Sequence, residues 1–385
     1  MRRWCLVLLL LLPSAAAAAG APPQWVIVTA PAFRAAVEPL CALRRNQGMR
    51  VAVVQTTDVL SDNEILAGEA GKLRAKVNQL CRESTGPSYV LLVCRVSVEA
   101  GNLDESLRAT VPPLRGTVSR MKGQVSDNGY GCPGEGVVPT VAVGRLPART
   151  VEECRQMVAK TLAWERDTRP GPWRRQLAVL AGVPAFNPFV DKLVESLALA
   201  RLDQVDPSWT GQAIYHNAQS RFCVPDALLH EQALGLVQAG AAFTVYLGHS
   251  SAEGFYAAGA RYLDRDDWAR LHMARGPGIF ITFGCNGCQL CGRNGEGYGV
   301  AAVRNPGGPV AAVGSHGICF AAMVELAGDG LFKSLFAARP PQRLGDAYLR
   351  LKENLAHGKI DPLSFRLLDA VDGDSRIPLA DQRLE

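Results

Sequence analysis

The chain has no long apolar run beyond its first dozen residues. Nothing in it approaches the roughly 20 apolar residues that cross a bilayer as a helix. Charge of one sign is equally scarce. Lys and Arg number 41 and Asp and Glu 36, a formal net charge of +5, and setting aside Arg2 and Arg3 leaves +3. The basic residues are dispersed, which argues against a nucleic-acid partner. No segment repeats at a period of about 20–50 residues, so solenoids and propellers are excluded. Gly307-Gly308-Pro309 lacks the Lys-Ser/Thr pair of a phosphate-cradling loop and reads as a turn.

What is present fits a globular protein. The 385 residues are 48% hydrophobic and 20% charged, enough for one large domain or two medium ones. Residues 1–21 read as a secretory signal. Arg2 and Arg3 form the charged start, residues 4–12 the apolar core, and residues 15–21 are small enough for cleavage. The expectation is export to the periplasm or beyond the cell, with no stable membrane span after cleavage. Eleven Cys suit disulfides in an oxidising compartment. Cys5 leaves with the signal. If one of the remaining ten is a free nucleophile, nine are left, and at least one more thiol is free or pairs elsewhere.

Strand-like and helix-like segments alternate nearly throughout, the pattern of an α/β fold. Strands are expected at residues 25–29, 49–54 and 88–93, with helices at 33–45 and 62–81 between them, the start of a doubly wound sheet. From 97 to 139 the pattern loosens, and Asp127-Asn128-Gly129-Tyr130-Gly131 is a turn signal. A strand at 140–144 and an amphipathic helix at 151–166 follow. Residues 167–172, rich in Pro and Gly, mark a boundary. A second series then reads as strand 177–181, helices 190–201 and 225–239, strands ending near 247, 283 and 314, and helices at 297–304, 321–338 and 344–357. The division expected is a signal at 1–21, an N-terminal α/β subdomain at 22–168, a second subdomain at 169–360 and a tail at 361–385.

Two strands end in reactive side chains. Phe243-Thr244-Val245-Tyr246-Leu247-Gly248-His249 and Ile279-Phe280-Ile281-Thr282-Phe283-Gly284-Cys285 are each an apolar run that stops at a glycine. Ligands bind outside the carboxyl ends of strands in open α/β sheets, so neighbouring strands would deliver an imidazole and a thiol to one edge. An imidazole can take the thiol's proton and give a reactive ion pair. Cys285 is therefore the candidate nucleophile and His249 the candidate general base, later general acid. Backbone amides around Gly248, Ser250 and Gly284 are the candidate oxyanion donors. The plainer reading makes His249 a satisfied histidine and Cys285 a small buried residue.

The chain resembles the gingipain family of cysteine peptidases. Tyr246-Leu247-Gly248-His249 is similar to that family's histidine block, and Phe280-Ile281-Thr282-Phe283-Gly284-Cys285 to its cysteine block. Tyr89-Val90-Leu91-Leu92-Val93, Asp127 with Tyr130, Val143-Gly144-Arg145-Leu146-Pro147-Ala148, Glu296-Gly297 and Gly308-Pro309-Val310-Ala311-Ala312-Val313-Gly314-Ser315 also resemble it, in order along most of the chain. The resemblance implies two adjacent subdomains with mainly parallel sheets flanked by helices, the second caspase-like, and an exported endopeptidase acting on peptides or proteins. It requires no cofactor here; calcium is implied by the resemblance alone, and no calcium ligand can be placed. Three departures stand out. Ser250 replaces the usual glycine after the histidine, Cys94-Arg95 stands where Gly-Asp is usual, and the glycine after the nucleophile comes early. An alternative is thus a catalytically inactive binding or scaffold protein of the cell envelope.

Other constellations carry less. Cys285, Cys288 and Cys291 have a C-x2-C-x2-C spacing known from metal sites, but no fourth Cys follows closely, and no metal site is expected. A reversible Cys285–Cys288 disulfide is a further option. Ser315 and His316 end an apolar run and are either rim residues or part of a substrate pocket. Asp264, Asp266 and Asp267 either bind a basic side chain or cap the next helix, and capping is expected.

Overall fold

The computed structural model describes residues 21–97, 103–117, 123–183, 188–257, 259–292 and 295–359. The signal expected at 1–21 and the tail at 361–385 lie almost wholly outside these residues.

The first half builds a parallel sheet. Its strands are β1 (Gln24–Thr29), β2 (Arg50–Gln55), β3 (Ser88–Val93) and, after two short antiparallel strands β4 (Leu114–Arg115) and β5 (Val125–Ser126), β6 (Ala142–Leu146). The order is β2-β1-β3-β6. Helices α1 (Arg34–Asn46), α2 (Asp62–Ala67), α3 (Gly71–Arg82), α4 (Leu103–Leu107) and α5 (Val151–Arg166) connect and cover it. Every residue of β1 is buried, because it is a central strand with a neighbour on each side and both faces covered. The single helix expected at 62–81 is two. Gly68 closes α2 in the left-handed region (φ 71°), where glycine carries no Cβ penalty.

The second half repeats the plan. Its sheet is β14-β13-β9-β7-β8, all parallel. These strands are β7 (Gln176–Gly182), β8 (Thr210–His216), β9 (Phe243–Leu247), β13 (Ile279–Phe283) and β14 (Ala311–Gly314). Alternate residues enter opposite cores, as strand pleating requires. Tyr246 and Phe280 pack under α7 (Asp226–Ala239), α8 (Arg265–Arg270) and α9 (Tyr298–Arg304). Val245, Ile279 and Ile281 pack instead against α10 (Ala321–Leu335) and α11 (Leu344–His357). Both faces are buried, so these strands read as continuous apolar runs. Helix α6 (Pro188–Leu202) joins β7 to β8.

Two features differ from expectation. β8 is an edge strand whose first three residues are exposed, so it lacks the apolar run that marks its neighbours. Between β9 and β13 the chain forms an antiparallel meander, β10 (Ser250–Ser251), β11 (Gly254–Ala257) and β12 (Ala260–Asp264). Asp264 then caps α8, its side chain accepting from the Asp267 amide at 2.9 Å in a reciprocal capping box.

Specific contacts join the two sheets. Tyr89 donates to Asp346 on α11 at 2.9 Å. Lys160 on α5, 8% exposed, donates to the carbonyls of Val303 and Asn305 at the end of α9, both at 2.7 Å. Glu296 pairs with Arg149 of the first half and Arg304 of the second. Between the sheets lies a cleft of about 1280 Å³, lined among others by Asp127, Arg145, Cys288, Ser315, His316 and Cys319.

Candidate active site

Register puts the imidazole and the thiol at one sheet edge. β9 and β13 are adjacent and parallel, with Leu247 opposite Phe283. His249 and Cys285 each stand two residues past that pair, on strands spaced about 4.8 Å apart. His249 is exposed and Cys285 half-buried. Gly248, at φ 151°, turns the chain out of β9, and a Cβ there would lie 2.7 Å from the Tyr246 hydroxyl. That hydroxyl donates to the His249 carbonyl at 2.5 Å. Tyr246 is itself fixed by stacking on Phe255, ring centroids 3.8 Å apart, so the turn carrying the imidazole is braced from inside the core.

The Cys285 turn is braced more heavily. Asn286 sits at φ 57°, the only non-glycine residue with positive φ among the described residues. Its amide donates to the Gly317 carbonyl at 2.7 Å, and the Cys288 amide to the Ser315 carbonyl at 2.9 Å. The Ser250 hydroxyl donates to the Cys285 carbonyl at 2.7 Å. Cys285 Sγ lies against the backbone of Cys319, its thiol donating to the Cys319 carbonyl at 3.8 Å and the Cys319 amide standing 3.3 Å from the sulfur. Asparagine enters the left-handed region more readily than other non-glycine residues, so Asn286 suits this turn.

The other candidate residues have defined places. The Gly284 amide donates to Thr282 Oγ1 at 3.3 Å, and its carbonyl accepts from Ser315 Oγ at 2.7 Å. The Gly284 amide is thus turned into the protein. The Ser315 hydroxyl has a single proton to share between Gly284 O and Gly317 O, the latter 3.0 Å away, so it braces the loop. His316 faces the cleft between the sheets, where both ring nitrogens are buried without a hydrogen-bond partner. Burial pulls its pKa down to about 4, so the ring is neutral at pH 7.

No disulfide joins any two of the ten described cysteines. Cys288 faces inward, where a Cβ on Gly299 or Gly314 would lie 2.7 or 2.8 Å from its sulfur, and burial pushes its pKa up to about 12. Among the described residues no three His, Cys, Asp or Glu side chains are grouped to hold a metal ion. Sequence reasoning missed Tyr298, Thr282 and Cys319. Their only signal is position, near strand ends and on a short buried helix.

The segments Asp127, Tyr130 and Arg145 explain one another. Arg145, its side chain 5% exposed, forks onto Asp127 through Nε–Oδ2 at 2.7 Å and Nη2–Oδ1 at 2.8 Å. Its remaining nitrogen reaches Cys94 Sγ and the Val111 carbonyl. Tyr130, fully buried, donates to the Pro112 carbonyl at 2.8 Å. The pair forms a wall of the cleft facing His316.

Comparisons with known proteins agree with this architecture. The model of peptidase family C25 matches residues 18–371. The fold is similar to the crystal structure of the Arg-specific cysteine proteinase gingipain R (RgpB). The TM-score is 0.66 and the identity 16%, with 86% of this chain and 72% of that chain covered. It is similar also to the complex of Porphyromonas gingivalis RgpB pro- and mature domains, with TM-score 0.65 and identity 16%, covering 86% of this chain and 73% of that one. A third structure, described only as a protease, aligns with TM-score 0.68 at 14% identity over 94% of this chain and 76% of that chain. No curated protein sequence matches the chain.

Proposed function

The chain belongs to peptidase family C25, a family of cysteine-type peptidases, and from that premise we propose that it is an exported endopeptidase working through a Cys285–His249 dyad. One observation carries the reading: register brings His249 and Cys285 to the same end of two hydrogen-bonded parallel strands. His249 takes the proton from the Cys285 thiol, and the thiolate attacks the peptide carbonyl carbon. The resulting oxyanion is met by the backbone amides that follow Gly248 and by that of Cys285, since the Gly284 and Asn286 amides are bonded elsewhere. The imidazolium returns its proton to the departing amine as the C–N bond breaks and a thioester forms. Water, deprotonated by His249, then attacks the thioester and frees the acid and the thiol.

The substrate is a peptide or protein. The charged start and apolar core of residues 1–21 support action outside the cytoplasm. The alternative, a silent binding or scaffold protein of the cell envelope, draws on Ser250 in the position after the histidine.

Hydrolysis of a mixed peptide library by the mature protein, with Cys285→Ala as control, tests the reading. Cleavage by the wild type that vanishes in the variant is expected. Cleavage that persists in Cys285→Ala, or none by either protein, overturns it. Iodoacetamide should label Cys285 faster in the wild type than in His249→Ala; equal rates would remove the proposed activation.

A further inference from the structure

We infer that Ser250 is a positioning residue for the nucleophile. Its hydroxyl ties the Cys285 carbonyl to the residue beside His249 and thereby sets the sulfur against the imidazole. The inference rests on the dyad reading above and adds a residue to it.

The hydrogen bonds around Ser250 form a directed ring. The Gly284 amide donates to Thr282 Oγ1 at 3.3 Å. Thr282 Oγ1 and Tyr298 OH are 2.6 Å apart, and Tyr298 OH donates to Ser250 Oγ at 3.2 Å. Ser250 Oγ donates to the Cys285 carbonyl at 2.7 Å. A tyrosine hydroxyl has one proton. Since it goes to Ser250, Thr282 is the donor to Tyr298. Each hydroxyl then donates once and accepts once, and the ring begins and ends on the backbone of Gly284 and Cys285. Thr282 and Tyr298 are buried, at 2% and 0% exposure, so water does not compete for these bonds.

The geometry shows what the ring restrains. Cys285 O is held by Ser250 on one side, and Asn286 N by Gly317 O at 2.7 Å on the other. The peptide between them leads into the left-handed Asn286. A turn that loses one of its two restraints is free to shift, and the thiol would move with it. Ser250 is covalently next to His249, so this restraint ties the two reacting side chains to each other as well as to the scaffold. Room for it comes from Gly284, where a Cβ would lie 2.2 Å from Ser250 Oγ.

The experiment compares Ser250→Gly and Ser250→Ala with wild type in two assays. One is kcat and KM on a peptide the wild type cleaves. The other is the rate of Cys285 alkylation by iodoacetamide across about pH 5 to 9. Positioning predicts kcat about 10-fold lower, equivalent to about 1.4 kcal/mol. It also predicts nearly unchanged KM and alkylation slowed by a similar factor in both variants. Tyr298→Phe, which keeps the Ser250 hydroxyl but removes its donor, should fall about 3-fold, and it serves if the Ser250 variants fail to fold. If Ser250 instead crowds the site, Ser250→Gly will match or exceed wild type in both assays, and the inference is overturned. If the wild type cleaves no peptide, the peptidase reading fails, yet alkylation still decides: slower labelling in the variants supports positioning, and unchanged labelling refutes it.

Discussion

Replacing Asp127 with alanine isolates the buried pair that builds the cleft wall. The fork geometry, with N–O distances of 2.7 and 2.8 Å, puts the two charges about 4 Å apart. At an effective dielectric constant near 20, that is worth about 4 kcal/mol. Breaking a buried pair from one side costs about 3–5 kcal/mol, because the other charge is left without its partner. Here that charge is Arg145, with 5% of its side chain exposed. Unfolding entropy near 2.1 cal/mol/K per residue gives this chain about 0.8 kcal/mol/K, so Asp127→Ala should lower Tm by about 5 °C. Differential scanning calorimetry checks this. The double variant Asp127→Leu/Arg145→Met removes both charges at similar volume and should recover most of the loss. Iodoacetamide labelling supplies a second reading, since Cys94 lies against Arg145 and should become reactive in Asp127→Ala. A Tm shift below about 1 °C in the single variant, or a double variant no more stable than it, would refute the argument that an unpaired Arg145 is what costs stability.

Other outcomes are as specific. Gly284→Ala should destabilise by about 1–3 kcal/mol and slow Cys285 alkylation, because its Cβ would lie 2.2 Å from Ser250 Oγ and 3.1 Å from the Tyr246 ring; urea unfolding and labelling kinetics read both. Burial pulls the Lys160 pKa down to about 7. Below that value folded and unfolded chains both hold the proton, whereas between pH 7 and about 10.4 the unfolded chain binds more, so stability rises with pH there. Lys160→Met should abolish that rise, and the difference between wild type and variant should widen by roughly 2 kcal/mol from about pH 7 to 9 in urea titrations. Burial raises Cys94 to about 11 and Cys154 and Cys288 to about 12. Mass-spectrometric labelling of native protein near pH 8 should therefore find those three unmodified when Cys285 is alkylated, and accessible only after unfolding.

The strand cores were legible because burial on both faces leaves a continuous apolar run. β3 falls at residues 88–93 as read from the sequence, and β9 and β13 end where their glycines stand. β8 was not legible, since an edge strand with exposed residues writes no such run. Nor was the meander before α8, whose two-residue β10 lies below any periodic signal. Within the site, His249 and Cys285 were visible as strand-end residues. Ser250 was visible as a candidate oxyanion amide and as a departure from a family pattern, neither of which says where its hydroxyl points.

The sequence by itself thus determined the α/β alternation, the two strands with reactive ends and the family to which they belong, because pattern and motif are local properties of the chain. Tertiary structure alone decided that β9 and β13 are neighbours in register. It also decided that Thr282, Tyr298 and Ser250 close a ring on Cys285 and that Asp127 meets Arg145. Those pairings join residues 16 to 48 positions apart. They follow from which faces must be buried together, a sum over the whole core that no single segment records.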